Sequence, residues 1–204
     1  MAALGRELAQ AGPPVVAGAT WIDGTLPAAV PEMQSGLVTL GYVLAELEEA
    51  AQAETLDRAW RNAQALVVVE PGTPAGYRRV IAARDQLLEA GGTLAAPCPH
   101  ERACPWAGTD EWCHFSVRLP RSAAHRQAKS AELAYEDEKL AYVAVVRGRA
   151  ERTGVRVLRH PRVRSGHVLL QLCREDGIHD ETVSKRDRDR YRRARKLSWG
   201  ESFG

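Results

Sequence analysis

The chain has no run approaching the roughly twenty consecutive apolar residues that a membrane-spanning helix needs, although 45% of its 204 residues are hydrophobic. Its first residues, MAALGRELAQAG, lack the basic-then-apolar order of a secretory signal. No internal repeat is present. These absences point to a cytoplasmic chain without membrane contact, built as one domain of ordinary size or one domain with an appendage. Cysteine is scarce, with four in all. In a reducing compartment so small a set reads as ligands rather than disulfides.

The charges that are present are unevenly placed. Residues 1–115 hold 7 Lys and Arg against 14 Asp and Glu, a net of −7, while residues 116–204 hold 21 against 12, a net of +9. An acidic half joined to a basic half is the pattern of a protein that meets a polyanion. A solvated basic face without a partner would have the same composition.

Hydrophobic periodicity divides the chain further. Residues 1–10 suit a short helix, and the Gly- and Pro-rich stretch that follows has one candidate strand over 15–22. A strand over 37–42 runs into a helix with apolar residues from Leu44 to Ala63 at near-helical spacing. Residues 65–69 (ALVVV) read as a strand buried on both faces of a parallel sheet. Thr73 then offers a helix N-cap with Pro74 in the first turn, and that helix, carrying Tyr77, Val80, Ile81, Arg84, Leu87 and Leu88, stops at Gly91-Gly92. A short strand over 93–96 follows. The alternation of strand and helix predicts an α/β doubly wound sheet. Downstream, 121–139 is polar and expected to be helical, whereas 140–146 and 167–173 read as strands that could pair as an antiparallel edge of the same sheet.

Three of the four cysteines, Cys98, Cys104 and Cys113, fall in the loop PCPHERACPWAGTDEWCHF, and the fourth, Cys173, ends the apolar run HVLLQLC. Four thiolates suit tetrahedral zinc or an iron–sulfur cluster. The gaps are five, eight and 59 residues, with no Cys-x2-4-Cys knuckle of the kind structural zinc sites use. Wide gaps and two Cys-Pro pairs favour the larger object, a 4Fe–4S cluster, over zinc. Ordinary buried thiols account poorly for three cysteines in one polar loop, and a nucleophilic cysteine would leave the other three unexplained. His100 and His114 suit supporting hydrogen bonds better than ligation, since the thiols already number four.

The segments VVVEPGTPAGYRRVIAARDQLL and APCPHERACPWAGTDEWCHFSVRLPRSAAHRQAKSAELAYEDEKLAYVAVVR, with RHPRVRSGHVLLQLC and the closing ARKLSWGES, resemble the methyltransferase-like assembly factors of the small ribosomal subunit, known from bacteria and mitochondria. The resemblance covers most of the chain from about Gly36. It implies a class I S-adenosylmethionine methyltransferase (Rossmann-like) fold, a 4Fe–4S cluster on Cys98, Cys104, Cys113 and Cys173, and association with ribosomal RNA of the small subunit. It also implies a mitochondrial site for the eukaryotic members, against a cytoplasmic one for a bacterial-type chain.

One departure from that pattern is plain. The glycine-rich turn on which such a fold holds S-adenosylmethionine is absent: Gly12, Gly18 and Gly24 form no such turn behind a convincing strand. Residues 15–26 look like the family's third strand, so the chain is expected to be a partial α/β sheet lacking its first strands, with no catalytic or cofactor-binding residue assigned. On this reading residues 1–35 are an N-terminal remnant, 36–184 the partial domain with its Cys loop at 97–115, and 185–204 a basic tail. S-adenosylmethionine would bind only if the missing part were supplied, which leaves an RNA methyltransferase as one alternative and a zinc-stapled nucleic-acid-binding module as another.

For RNA contact the candidates are Arg156, Arg159, Arg162 and Arg164 around one loop, and Arg186, Arg188, Arg190, Arg192, Arg193, Arg195 and Lys196 in the tail. Tyr191 or Trp199 could stack on an unpaired base. Intrahelical ion pairs would use the same residues. Glu70, at a strand end, suits either a substrate pocket or a clamp on backbone amides.

Overall fold

A computed structural model describes residues 2–152 and 154–203; Met1 and Gly204, at the ends of the ranges expected above, fall outside it. The chain opens with helix α1 (Ala2–Gln10) and a single turn, α2 (Pro14–Ala17). The strand expected over 15–22 does not form. Pro14 in the first turn sets a helical φ there, and no strand pairs with this segment among the described residues.

The first sheet begins with β1 (Val38–Gly41), a 3-10 turn at Leu44–Glu46, helix α3 (Glu49–Arg61) and β2 (Ala65–Pro71). Strands β1 and β2 run parallel, Val38 opposite Leu66. Helix α4 (Pro74–Glu89) follows, with the Thr73 hydroxyl accepting from the Gly76 amide at 3.1 Å and Pro74 in the first turn, as the sequence anticipates. Then come β3 (Thr93–Ala96), β4 (Phe115–Pro120), the short helix α5 (Ala123–Ala128) and the long strand β5 (Tyr135–Val146).

Strand β5 organises this sheet. One edge pairs antiparallel with β2; along the other lie β3, opposite residues 144–146, and β4, opposite residues 135–140. The result is a mixed parallel and antiparallel α/β sheet, compatible with a Rossmann-like fold. Leu66, Val68, Val143 and Val145 are fully buried in its core with Trp60, Val80 and Leu87 from α3 and α4. Burial along β2 alternates rather than continuing, since Val67 and Val69 stay half-buried. The expectation of a strand covered on both faces is therefore corrected: α3 and α4 pack on one another and on β2, and the opposite face is covered only in part.

The helix expected over 121–139 is confined to α5. From Tyr135 the chain is strand: exposure alternates along the consecutive charged residues Glu136 to Lys139, and the β4–β5 hairpin sets Arg118 directly opposite Asp137, bridged to it at 2.7 Å. Residues 140–146 and 167–173 are strands, but they do not pair with each other.

The second sheet holds β6 (Val155–Val157), β7 (Arg162–Val163), β8 (His167–Arg174) and β9 (Gly177–Ser184), all antiparallel about β8. Helix α6 (Arg188–Ala194) packs on β8 and β9. Val168, Leu170, Leu172, Tyr191, Ala194 and Phe203 share this second core, so the basic tail belongs to the small sheet rather than trailing from it. No helix among the described residues is long and apolar enough to cross a membrane.

The close approach of α4 to the strand before it rests on Gly76, where an added Cβ would stand 2.0 Å from the Pro71 carbonyl oxygen. Backbone cannot yield that distance. Gly76→Ala is expected to lower stability by about 1–3 kcal/mol or more, while Gly36→Ala, with nothing within 4 Å, stays within about 0.5 kcal/mol of the parent; urea unfolding of the two variants checks both.

Candidate metal centre

The cysteine loop is the excursion between β3 and β4, which lie end to end along one edge of β5. It has almost no regular structure, so its backbone is held by side chains from outside. Trp112 Nε1 donates to Gly72 O at 3.0 Å, Arg156 Nε to Pro97 O at 3.0 Å, Arg159 to Trp112 O at 3.2 Å, and Arg84 Nη2 to Arg102 O at 2.7 Å and His100 O at 3.3 Å. Returning the favour, the Glu101 carboxylate accepts from the Leu94 amide at 3.0 Å.

All four thiols are free and line one cavity, together with Tyr77, Arg84, Trp106, Arg156, Leu158 and Ile178. The sequence-predicted set is thus brought together, the fourth member from the other sheet. Alternation along β8 explains how. Leu172 points into the second core while Cys173, its neighbour, points the opposite way and joins the first core. Arg156 on β6 and Ile178 on β9 stand directly opposite Cys173, so one rung across three strands faces the cavity.

The environment is apolar around the sulfurs. The Tyr77 hydroxyl donates to Cys104 Sγ at 3.1 Å, and His100 Nε2 lies 3.7 Å from Cys173 Sγ. Burial pushes the Cys98 thiol up to about 11, an effect that Arg84 opposes, and pushes Cys173 up to about 12 with Cys98 adding to the rise. Cys113 is raised well above its ordinary value by burial and by the neighbouring thiols. Burial lowers both His100 and His114 and so favours neutral imidazole. Among the described residues no group of three or more His, Cys, Asp or Glu side chains is set to hold a metal ion; the four cysteines share the lining of one cavity.

The arginines expected to contact RNA fall into separate groups. Arg156 and Arg159 turn inward. Arg156 Nη1 also donates to Gly200 O at 2.6 Å, and the Arg159 guanidinium lies 4.7 Å from the Trp106 ring and 5.7 Å from that of Trp199. Arg162, on β7, and Arg164, just after it, are exposed. In the tail Arg188, Arg192, Arg195 and Lys196 line an open groove with Lys185 and Tyr191. Arg190 pairs with Glu181 at 2.6 Å, Arg193 lies over Phe203, and Arg186 is exposed.

Neither aromatic residue expected to stack on a base is free to do so. Tyr191 is buried in the second core, and Trp199 is wedged between the His114 and His160 rings at 4.8 and 5.0 Å. Glu70, fully buried, accepts from the Leu44 amide at 3.1 Å and Arg79 Nε at 2.7 Å; it is the backbone clamp of the two roles considered. Sequence reasoning assigned no role to Arg84. Its signal was a charged residue at a core-facing position of the apolar series on α4.

A family model described as mitochondrial small ribosomal subunit Rsm22 matches residues 1–204. The human protein named ribosome assembly protein METTL17, mitochondrial, is 34% identical over 191 aligned residues, covering 84% of this chain and 40% of that protein. Two Schizosaccharomyces pombe proteins, mitochondrial Rsm22-cox11 tandem proteins 1 and 2, are each 23% identical over 181 residues, covering 68% of this chain and 24% of theirs. The chain therefore spans less than half the length of these relatives. Their names overturn the cytoplasmic location expected from the sequence, since family and relatives alike are mitochondrial. With a match along its whole length, the chain belongs to the Rsm22 family.

Proposed function

We propose that this chain is part of a small-ribosomal-subunit assembly factor that binds a 4Fe–4S cluster on Cys98, Cys104, Cys113 and Cys173 and lays a basic face on ribosomal RNA. The relative's name as a ribosome assembly protein supports the role. The observation that carries the rest is the origin of the four sulfurs: three from the loop on the first sheet and one from the second sheet, all on one apolar cavity. A donor set of thiols alone suits a soft metal. The wide gaps between the four cysteines, with no Cys-x2-4-Cys knuckle, suit a multi-atom cluster better than a single zinc ion. When bound, the cluster would supply cross-linking between the two sheets. On this reading the chain contributes no catalytic residue.

The basic face would be the groove of Lys185, Arg188, Arg192, Arg195 and Lys196, with Arg186 beside it in sequence and Arg162 and Arg164 at the β7 edge of the same small sheet. Arg192 pairs with Asp189 at 3.5 Å on a well-exposed site, and such a pair contributes little. The remaining charges are open to phosphates. The link between cluster and groove is Arg156, which holds Pro97 of the loop and Gly200 beyond α6 at once.

Three outcomes follow. The double variant Cys104→Ser/Cys113→Ser should lose iron and acid-labile sulfide, melt at lower temperature and lose affinity for the small subunit; unchanged melting and binding would sink the proposal. Arg188→Gln/Arg192→Gln/Lys196→Gln should keep the cluster while weakening RNA binding, with the slope of log affinity against log salt shallower by about 2 if all three touch phosphate. The third concerns the metal-free chain. Unfolded thiols ionise near their ordinary value of 9.0, whereas Cys98 and Cys173 stay protonated in the fold up to about 11 and about 12. Their stabilising contribution is complete below about 9 and fades as pH rises through the folded values. The melting temperature of the metal-free protein should therefore fall from pH 8 to pH 11, and Cys98→Ser/Cys173→Ser should flatten that fall.

A further inference from the structure

Arg84 is the largest of the fully buried side chains, at 2% exposure. Burying a guanidinium is costly unless its charge and its donors are matched. Nη1 reaches the Asp85 carboxylate at 2.5 Å and Nη2 the His100 and Arg102 carbonyls, but Nε is buried with no partner. Arg84 lines the cavity of the four cysteines and stands against Cys98, whose thiol it draws down against the effect of burial.

A role as a strut for loop carbonyls explains Nη2 and leaves Nε unexplained. A second arginine lining the cavity, Arg156, commits Nε to Pro97 O and Nη1 to Gly200 O. With one side of the guanidinium paired to Asp85, what remains is the buried Nε–H, and a four-thiolate group offers it an acceptor. Four thiolates around a dipositive core carry a net charge of about −2, in a site with few polar neighbours, where a nearby cation and an N–H donor to sulfur are worth most.

We propose that Arg84 is the positioning residue that balances the charge of the group held by the four cysteines, its Nε–H donating to a thiolate or sulfide sulfur of that group. This rests on the cluster reading above. Hydrogen bonds and positive charge at cluster sulfurs raise the reduction potential, because they favour the more negative reduced form.

The test uses the full chain reconstituted anaerobically with iron and sulfide. Iron and sulfide are counted first: a parent protein that retains neither overturns the cluster reading and this inference with it. With the cluster present, Arg84→Gln is expected to lower the ratio of reduced to oxidised cluster at a fixed potential on the order of tenfold, ~59 mV for a one-electron couple. Arg84→Lys keeps the charge and should recover most of that loss. A purely structural strut would lower the melting temperature of both metal-free variants and leave the potential where it was, and a parental potential in Arg84→Gln overturns the proposal. Should that variant fail to fold, the parent chain labelled with 15N-arginine decides: pulsed paramagnetic resonance on the reduced cluster should detect coupling to an arginine nitrogen, and its absence overturns the assignment.

Discussion

Neighbouring residues of a strand point to opposite faces, and at one place on β8 this alternation joins the whole molecule. Leu172 closes the small core beneath α6, and Cys173 closes the larger core beside α4. A shift of register by one residue would exchange them, placing a thiol among the aliphatic side chains of the second core and a leucine among the sulfurs. The same alternation carries on past the end of β6, sending Val157 to one core and Leu158 to the other. The second sheet is therefore not an appendage of the first. It is the far wall of the cysteine cavity.

The loop that forms the near wall gains little from its own backbone. Its fixed points are donors from elsewhere in the chain, Arg84 from α4, Arg156 from β6 and Arg159 beyond it, and the loop's own Trp112 indole reaching out to Gly72 O. Each such bond contributes on the order of 1 kcal/mol net, against an ordering cost of about 1–2 kcal/mol for each loop residue fixed. These few bonds fall well short of that cost, so the burial of loop side chains such as Trp106 must offset much of the rest. The burial that raises the thiol pKa values has the same sense: metal-free, these groups sit as neutral hydrophobes, and a bound cation must displace their protons before the thiolates can hold it.

How much of this was legible in the sequence depended on whether local chemistry or distant pairing decided the outcome. Helix α4 was legible because Thr73, Pro74 and Gly91-Gly92 mark its ends within a few residues of one another. So was the grouping of the cysteines, since three lie in one short loop. The segment over 15–22 was misread because its apolar residues suggested a strand that has no partner to pair with. The stretch 121–139 was misread because a charged hairpin arm reaching beyond the sheet has the polarity of a solvated helix, and only the opposition of Arg118 and Asp137 across the register reveals it. The separate sheets of β5 and β8 left no local trace at all. Arg84 was visible as an anomaly, a charge at an apolar position, but its meaning needed the cavity.

The inward turn of Arg156 and Arg159 changes what the basic half of the chain can do. Positive charge counted along the sequence overstates the charge available to a polyanion, because these two guanidiniums are engaged by carbonyls and indole rings of the cysteine loop. What they do instead is transmit. Arg156 touches the loop before Cys98 and the segment after α6 together, and Trp199, in that same segment, packs between His114 beside Cys113 and His160. Any rearrangement of the loop must break these contacts or carry the C-terminal segment with it. The segment after α6 and the loop of the four thiols are therefore joined through Arg156 and Trp199.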